Sequence, residues 1–216
     1  MAKKNTVLAA VRAKRGYVLT YHRLLNEVSP DLLAAYDDFY TKFTLTSRVL
    51  TPVEKETIWM ALIAATRAKP SGRIHLPRAR KAGMGPQAIA DTFALAGACE
   101  GIDLFGFSAD AFGEWFTARQ AKAAYLRSFE AARGRIPKAL AHTAAAVAQA
   151  GRRNAAGMAL HLVEAFRAGA KREQVAEGLC YVLMHCGGPT MLDAMDCWIG
   201  TAARHRIPKP YPVSPA

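Results

Sequence analysis

Apolar residues recur at three-to-four-residue spacing through most of the chain, inside alanine-rich segments punctuated by Pro and Gly, and alternating β-branched runs are absent. That pattern predicts an all-α protein. Ser29-Pro30 opens a helix through about Phe43, with a serine cap and a proline whose missing N–H costs nothing in the first turn. Thr51-Pro52-Val53-Glu54 repeats the device and adds a glutamate that completes a capping box, for a helix to about Ala68. From Ile58 to Ala65 this helix is apolar all round, as a central buried helix should be.

Lys69-Pro70-Ser71-Gly72 reads as a break, followed by a short helix carrying His75, with Pro77 inside it, that ends at Gly83. Pro86 opens the next helix, to about Cys99. GIDLFGFS (101–108) reads as a connector, and a long helix is expected from about Ala109 to Arg133. Four more helices are predicted at roughly 138–150, 155–168, 172–185 and 190–205, before a proline-rich, extended tail, PKPYPVSPA. The basic N-terminus suits an amphipathic first helix better than a transit peptide.

An internal repeat emerges when two histidines are superposed. IHLPRARKAGMGPQAIAD (74–91) lies over LHLVEAFRAGAKREQVAE (160–177) at a constant shift of 86, matching His75 with His161, Gly83 with Gly169 and Asp91 with Glu177. Upstream, Ala34-Ala35-Tyr36 matches Ala123-Ala124-Tyr125 at a shift of 89. The chain therefore reads as two related helical units, 1–107 and 108–216, packed as a pseudo-dimer. Such short amphipathic repeats leave apolar faces that further copies can cover, so a homo-oligomer is expected.

Composition narrows the function classes. No apolar run reaches the ~18 to 20 residues that cross a bilayer, and no signal peptide is evident, so a cytoplasmic protein without membrane contact is expected. The formal net charge is +12, which favours anionic partners, yet the basic residues are scattered and show no nucleic-acid motif. The expected partner is a small acidic organic substrate, not nucleic acid. The four cysteines, Cys99, Cys180, Cys186 and Cys197, form no Cys-x-x-Cys pair and no zinc spacing, so they read as buried reduced thiols, and neither metal nor cofactor is expected.

Chemistry centres on Glu56 and His75. On the helix from Thr51, positions 56, 59, 60 and 63 share a face, which sets Glu56 beside Trp59, Met60 and Ile63. A carboxylate in such apolar company calls for a partner, and a histidine can share its proton. The plainer alternatives are a glutamate at the positive end of a surface helix and an ordinary core histidine. Arg67, Lys69 and Arg73 flank the same break as candidate carboxylate-binding groups, or as a solvated charged loop, and Ser71 is a candidate hydrogen-bond donor. The second unit offers His142, His161 and His185.

Glu56, the interval to His75, the AxxxG turn and the IADTFALA helix resemble the carboxymuconolactone decarboxylase and alkylhydroperoxidase-D-like family, and CGGPTMLDAMDCW (186–198) is similar to its Gly-x-Pro ending. The resemblance implies an all-helical fold of repeated units and, from the family's rings of six units, a trimer of two-unit chains, with a dimer as the alternative. It places Glu56 and His75 on the family's glutamate and histidine, whereas Ala68 and Ser71 occupy its two cysteine positions. In the second unit the glutamate position holds His142, the cysteine positions hold Asn154 and Gly157, and His161 remains. Thiol peroxidase chemistry is thereby disfavoured. What the resemblance implies instead is a cofactor-free lyase of the decarboxylase type. Double-bond isomerisation or hydration would use the same pair, and a non-catalytic helical ligand-binding module is the competing class.

Overall fold

In the computed structural model, which describes residues 2–211, every regular element is helical, as the spacing predicts. The chain divides into two compact units, Met1–Thr46 and Ser47–Ala216; the last residues of the expected extended tail, 212–216, lie outside the described residues. The first unit contains α1 (Ala2–Arg15), α2 (Thr20–Val28) and α3 (Pro30–Tyr40), the last continued by one π-helical turn, Thr41–Leu45. Asp37 holds it together, accepting from Lys14 Nζ at 2.9 Å and from Arg15 Nε at 2.7 Å, while the Arg15 guanidinium lies 4.1 Å over the Tyr40 ring.

The second unit contains α4 (Pro52–Ala65), α5 (Lys69–Lys81), α6 (Pro86–Ala111), α7 (Ala118–Ala132), α8 (Lys138–Gly151), α9 (Ala155–Arg167), α10 (Arg172–Cys186) and α11 (Gly188–His205). The capping box forms as expected: Thr51 Oγ1 accepts from Glu54 N at 3.3 Å and Glu54 Oε2 accepts from Thr51 N at 2.8 Å. Helix α4 is buried from Lys55 to Ile63, and its repeat-equivalent α8 is buried from Ala141 to Ala150. The two pack on each other through small residues. A Cβ at Gly151 would fall 2.4 Å from Leu62 Cδ1, so any larger residue there would displace the Leu62 side chain.

Several expected boundaries change. Residues 101–108 continue α6, and the expected division at 107/108 falls inside that helix. Two glycines suggest a connector at about 1 kcal/mol of helix cost each, but Phe105 packs against Tyr125 and Phe116, with ring centroids 6.2 and 6.4 Å away, and burial wins. The long helix expected from Ala109 is instead interrupted at 112–117, and α7 begins where Thr117 and Gln120 form a second capping box. The Lys69-Pro70-Ser71-Gly72 break is shorter than expected, because Pro70 sits in the first turn of α5, where it is tolerated.

The repeats exchange equivalent hydrogen bonds. Asp91 Oδ2 on α6 accepts from Arg135 N, ahead of α8, at 3.0 Å; Glu177 Oε2 on α10 accepts from Val49 N and Leu50 N, ahead of α4, at 2.8 and 2.9 Å. Positions 91 and 177, like positions 49 and 135, are 86 apart. Each repeat thus lends an acid to the segment that starts the other's central helix. Gly134, at φ +55°, makes the first of these possible, since a Cβ there would lie 2.3 Å from Asp91 Cγ.

Candidate active site

Glu56 lies only one turn inside α4, yet it is 5 % exposed, because the helix is enclosed on all sides. The surface-dipole reading of this residue is therefore excluded. His75, on α5, is 3 % exposed, and its Nδ1 lies 2.8 Å from Glu56 Oε2. With the carboxylate as acceptor, Nδ1 carries the proton and Nε2 becomes the nitrogen available for proton transfer.

Trp59, one turn after Glu56, stacks on His75 at 4.5 Å and 28°, and stacks at 4.8 Å and 19° on Tyr181 of α10. The Tyr181 hydroxyl donates to Glu177 Oε1 at 3.1 Å, which anchors the stack to the inter-repeat bond already described. Burial, with Glu177 adding to it, pushes the Tyr181 phenol far above its ordinary value, so it remains protonated. Trp59 Nε1 is buried without a hydrogen-bond partner among the described residues.

His185 joins the same cluster. Its ring lies 6.0 Å from Trp59 and its Nε2 lies 2.7 Å from Thr66 Oγ1. With Thr66 Oγ1 donating to Leu62 O at 2.8 Å, the contact to His185 is made by the Nε2–H tautomer. Burial, reinforced by His75, lowers the pKa of His185. Although His185 belongs to the second repeat in sequence, it faces the first repeat's pair.

The flanking candidates are placed differently. Arg67, at φ +55°, closes α4 and spends its Nη2 on both Glu100 oxygens, at 2.8 and 2.9 Å, with its side chain largely in solvent. Arg153, its equivalent 86 residues on, has φ +59° and pairs with Asp193 at 2.6 Å, so this arginine recurs as a helix terminator with a surface partner. Lys69 and Arg73 are exposed and Ser71 is half-buried in the first turn of α5. None of the four makes a described contact with Glu56 or His75.

In the second repeat the same geometry holds a different pair. His142 Nδ1 lies 2.9 Å from His161 Nδ1, and His161 Nε2 lies 2.6 Å from the Tyr125 hydroxyl. Both rings are buried, and burial depresses them, His142 to about 4 and His161 well below its ordinary value, with His142 reinforcing the latter. The four cysteines are all free, and burial raises every one, Cys99 to about 12. Each of these environments favours the thiol over the thiolate.

Trp59 was already on the face of Glu56 in the sequence, and the Tyr36/Tyr125 match marked a position that in the second repeat meets the repeated histidine. Tyr181 and His185, more than a hundred residues from Glu56, carry no local signal. Among the described residues no helix is long and apolar enough to cross a membrane. Residues 30–114, which include Glu56 and His75, match the family model described as carboxymuconolactone decarboxylase family. No curated protein and no solved structure matches the chain. The segment 30–114, with its helical fold and its glutamate and histidine, is thus similar to the carboxymuconolactone decarboxylase family.

Proposed function

We propose that the protein is a cofactor-free lyase of the decarboxylase type, acting by acid-base chemistry on a small acidic lactone or ring-derived acid. The observation that carries this reading is the buried 2.8 Å contact between His75 Nδ1 and Glu56 Oε2. Loss of carbon dioxide from such an acid breaks the carbon–carboxylate bond and leaves its electron pair on a conjugated dienolate, which then needs a proton. His75 Nε2 delivers that proton to carbon, Glu56 stabilises the imidazolium that precedes delivery, and water restores the proton afterwards. Trp59 holds the imidazole plane by stacking and adds an unspent N–H donor to the cluster. The surface cations Lys69 and Arg73, on the helix that carries His75, favour an anionic substrate.

Incubation with a panel of γ-lactone carboxylic acids and unsaturated ring-derived acids, followed by carbon dioxide release and loss of conjugated absorbance, tests the reading. Turnover on at least one member is expected, with Glu56→Gln and His75→Ala each lowering it by ~100-fold or more. Near-normal rates in both variants would remove the pair from the mechanism. Absorbance change without carbon dioxide would assign isomerisation or hydration to it instead. Tight binding without turnover would indicate a ligand-binding module.

A further inference from the structure

A cavity of about 630 Å³, lined chiefly by the second repeat and by neither Glu56 nor His75, lies between the end of α6, α7, α9 and His205 at the end of α11. Its size falls within the range of small-ligand sites, about 300 to 1,000 Å³. Small residues create it: Gly106 on α6, Ala121 on α7, and Ala156 and Ala159 on α9 leave room where larger side chains would close the helices together. Phe105 and Val163 give the walls their apolar character.

The inner wall is Tyr125, which is 1 % exposed. Its hydroxyl is committed to His161 Nε2 at 2.6 Å, and His161 in turn to His142, so the phenol's polar end is satisfied behind the wall and the ring faces a ligand as hydrocarbon. Burial disfavours the charged form of both histidines, so the pair behind that wall is neutral at neutral pH. Charge is confined to the rim. Lys122 and Arg167 stand there against a single lining carboxylate, Asp110, beside the ring of His205. Arg167 already shares its Nη1 with Glu164 Oε1 at 2.8 Å, whereas Lys122 makes no ion pair among the described residues.

We propose that this cavity is a second binding site, separate from the Glu56–His75 pair, for a small amphipathic anion whose apolar ring or chain lies against Tyr125 and Ala159 and whose single acidic group meets Lys122 at the rim. An apolar interior takes the body by burial alone, while a cation at the mouth that no carboxylate already pairs selects one negative end. The second repeat is thus a ligand-binding unit and not only a structural partner of the first. The proposal does not depend on the function assigned to Glu56 and His75.

Two dyes that differ only in charge test it on the full chain: 8-anilinonaphthalene-1-sulfonate, and its neutral counterpart N-phenyl-1-naphthylamine. Both are expected to bind saturably with one site per chain by fluorescence titration. Ala156→Trp, at an exposed lining position, should weaken both by tenfold or more with unchanged far-ultraviolet circular dichroism. Ala118→Trp, on the exposed first turn of α7, provides the same obstruction should the first variant fold poorly. Lys122→Ala combined with Arg167→Ala should weaken the sulfonate by about five- to tenfold and leave the neutral dye within twofold. Absence of saturable binding in the folded chain, binding indifferent to both tryptophan variants, or equal response of the two dyes to loss of the cations would each overturn the proposal. So would binding that appears only on dilution of an oligomer, which would make the groove an interface between copies.

Discussion

Removing His75 tests whether the Glu56–His75 contact holds in solution, independently of any substrate. His75→Ala deletes the 2.8 Å partner of a carboxylate that is 5 % exposed and the ring stacked 4.5 Å from Trp59. A hydrogen bond to a charged group contributes about 1.5 to 3 kcal/mol, and an aromatic contact adds about 0.5 to 1.5 kcal/mol. The expected loss is therefore about 2 to 4 kcal/mol in unfolding free energy. Much of it is the burden of a carboxylate left buried alone, so adding Glu56→Gln to the histidine variant should recover about 1 to 2 kcal/mol. Urea unfolding, followed by tryptophan fluorescence and circular dichroism, measures both values by linear extrapolation. Trp59 and Trp198 are buried and report on the core directly. A loss below about 1 kcal/mol together with no recovery in the double variant would mean that the two side chains do not meet.

Two further outcomes follow from the buried titratable groups. His142 is held at about 4 against an ordinary 6.5, chiefly by burial and further by Lys138 and Arg133, with Glu164 and Glu130 opposing. Between those values the unfolded chain binds a proton that the folded chain refuses, so stability is full above about pH 6.5 and falls by up to roughly 3 kcal/mol as the pH drops through 4. His161 acts in the same direction. Urea midpoints from pH 7 to pH 4 should show this slope, and His142→Gln should flatten it; an unaltered slope refutes the assignment. For the thiols, all four are raised by burial, so their reaction with an aromatic disulfide reagent at pH 8 should be no faster than that of free cysteine. A single fast-reacting thiol near pH 6 would contradict this and restore a thiol mechanism.

Local chemistry was legible wherever one turn of helix decided the outcome. Thr51 with Glu54, and Ser29 with Pro30, set the starts of α4 and α3 as their sequence patterns predict. The constant shift of 86 residues brought out the pairing of His75 with His161, and the exchanged bonds of Asp91 and Glu177 support reading the chain as two related units. Where distant packing decided, sequence reasoning failed. Gly101 and Gly106 looked like a connector because the rings that hold Phe105 in place lie on Phe116 and Tyr125. His185 looked like a second-unit group because its order in the chain says nothing of Thr66 and Trp59. Arg67 read as a carboxylate-binding group or as part of a solvated charged loop, and only the packing of α4 on α6 shows its left-handed backbone and its tie to Glu100.

The two repeats differ most in what each can do with a charged imidazole. In the first, Nδ1 of His75 faces a carboxylate, which can compensate the positive ring that forms during proton transfer. In the second, the same nitrogen of His161 faces another imidazole, and a proton placed on one ring is repelled by any placed on the other. That pair can only share a proton between neutral rings, with Tyr125 satisfying the remaining nitrogen. Duplication has kept the spacing of nineteen residues between the partners in both repeats, yet exchanging one carboxylate for an imidazole turns a device for holding charge into one for avoiding it. This is the physical ground on which proton transfer is proposed for Glu56 and His75, and an uncharged, ligand-receiving wall for the second repeat.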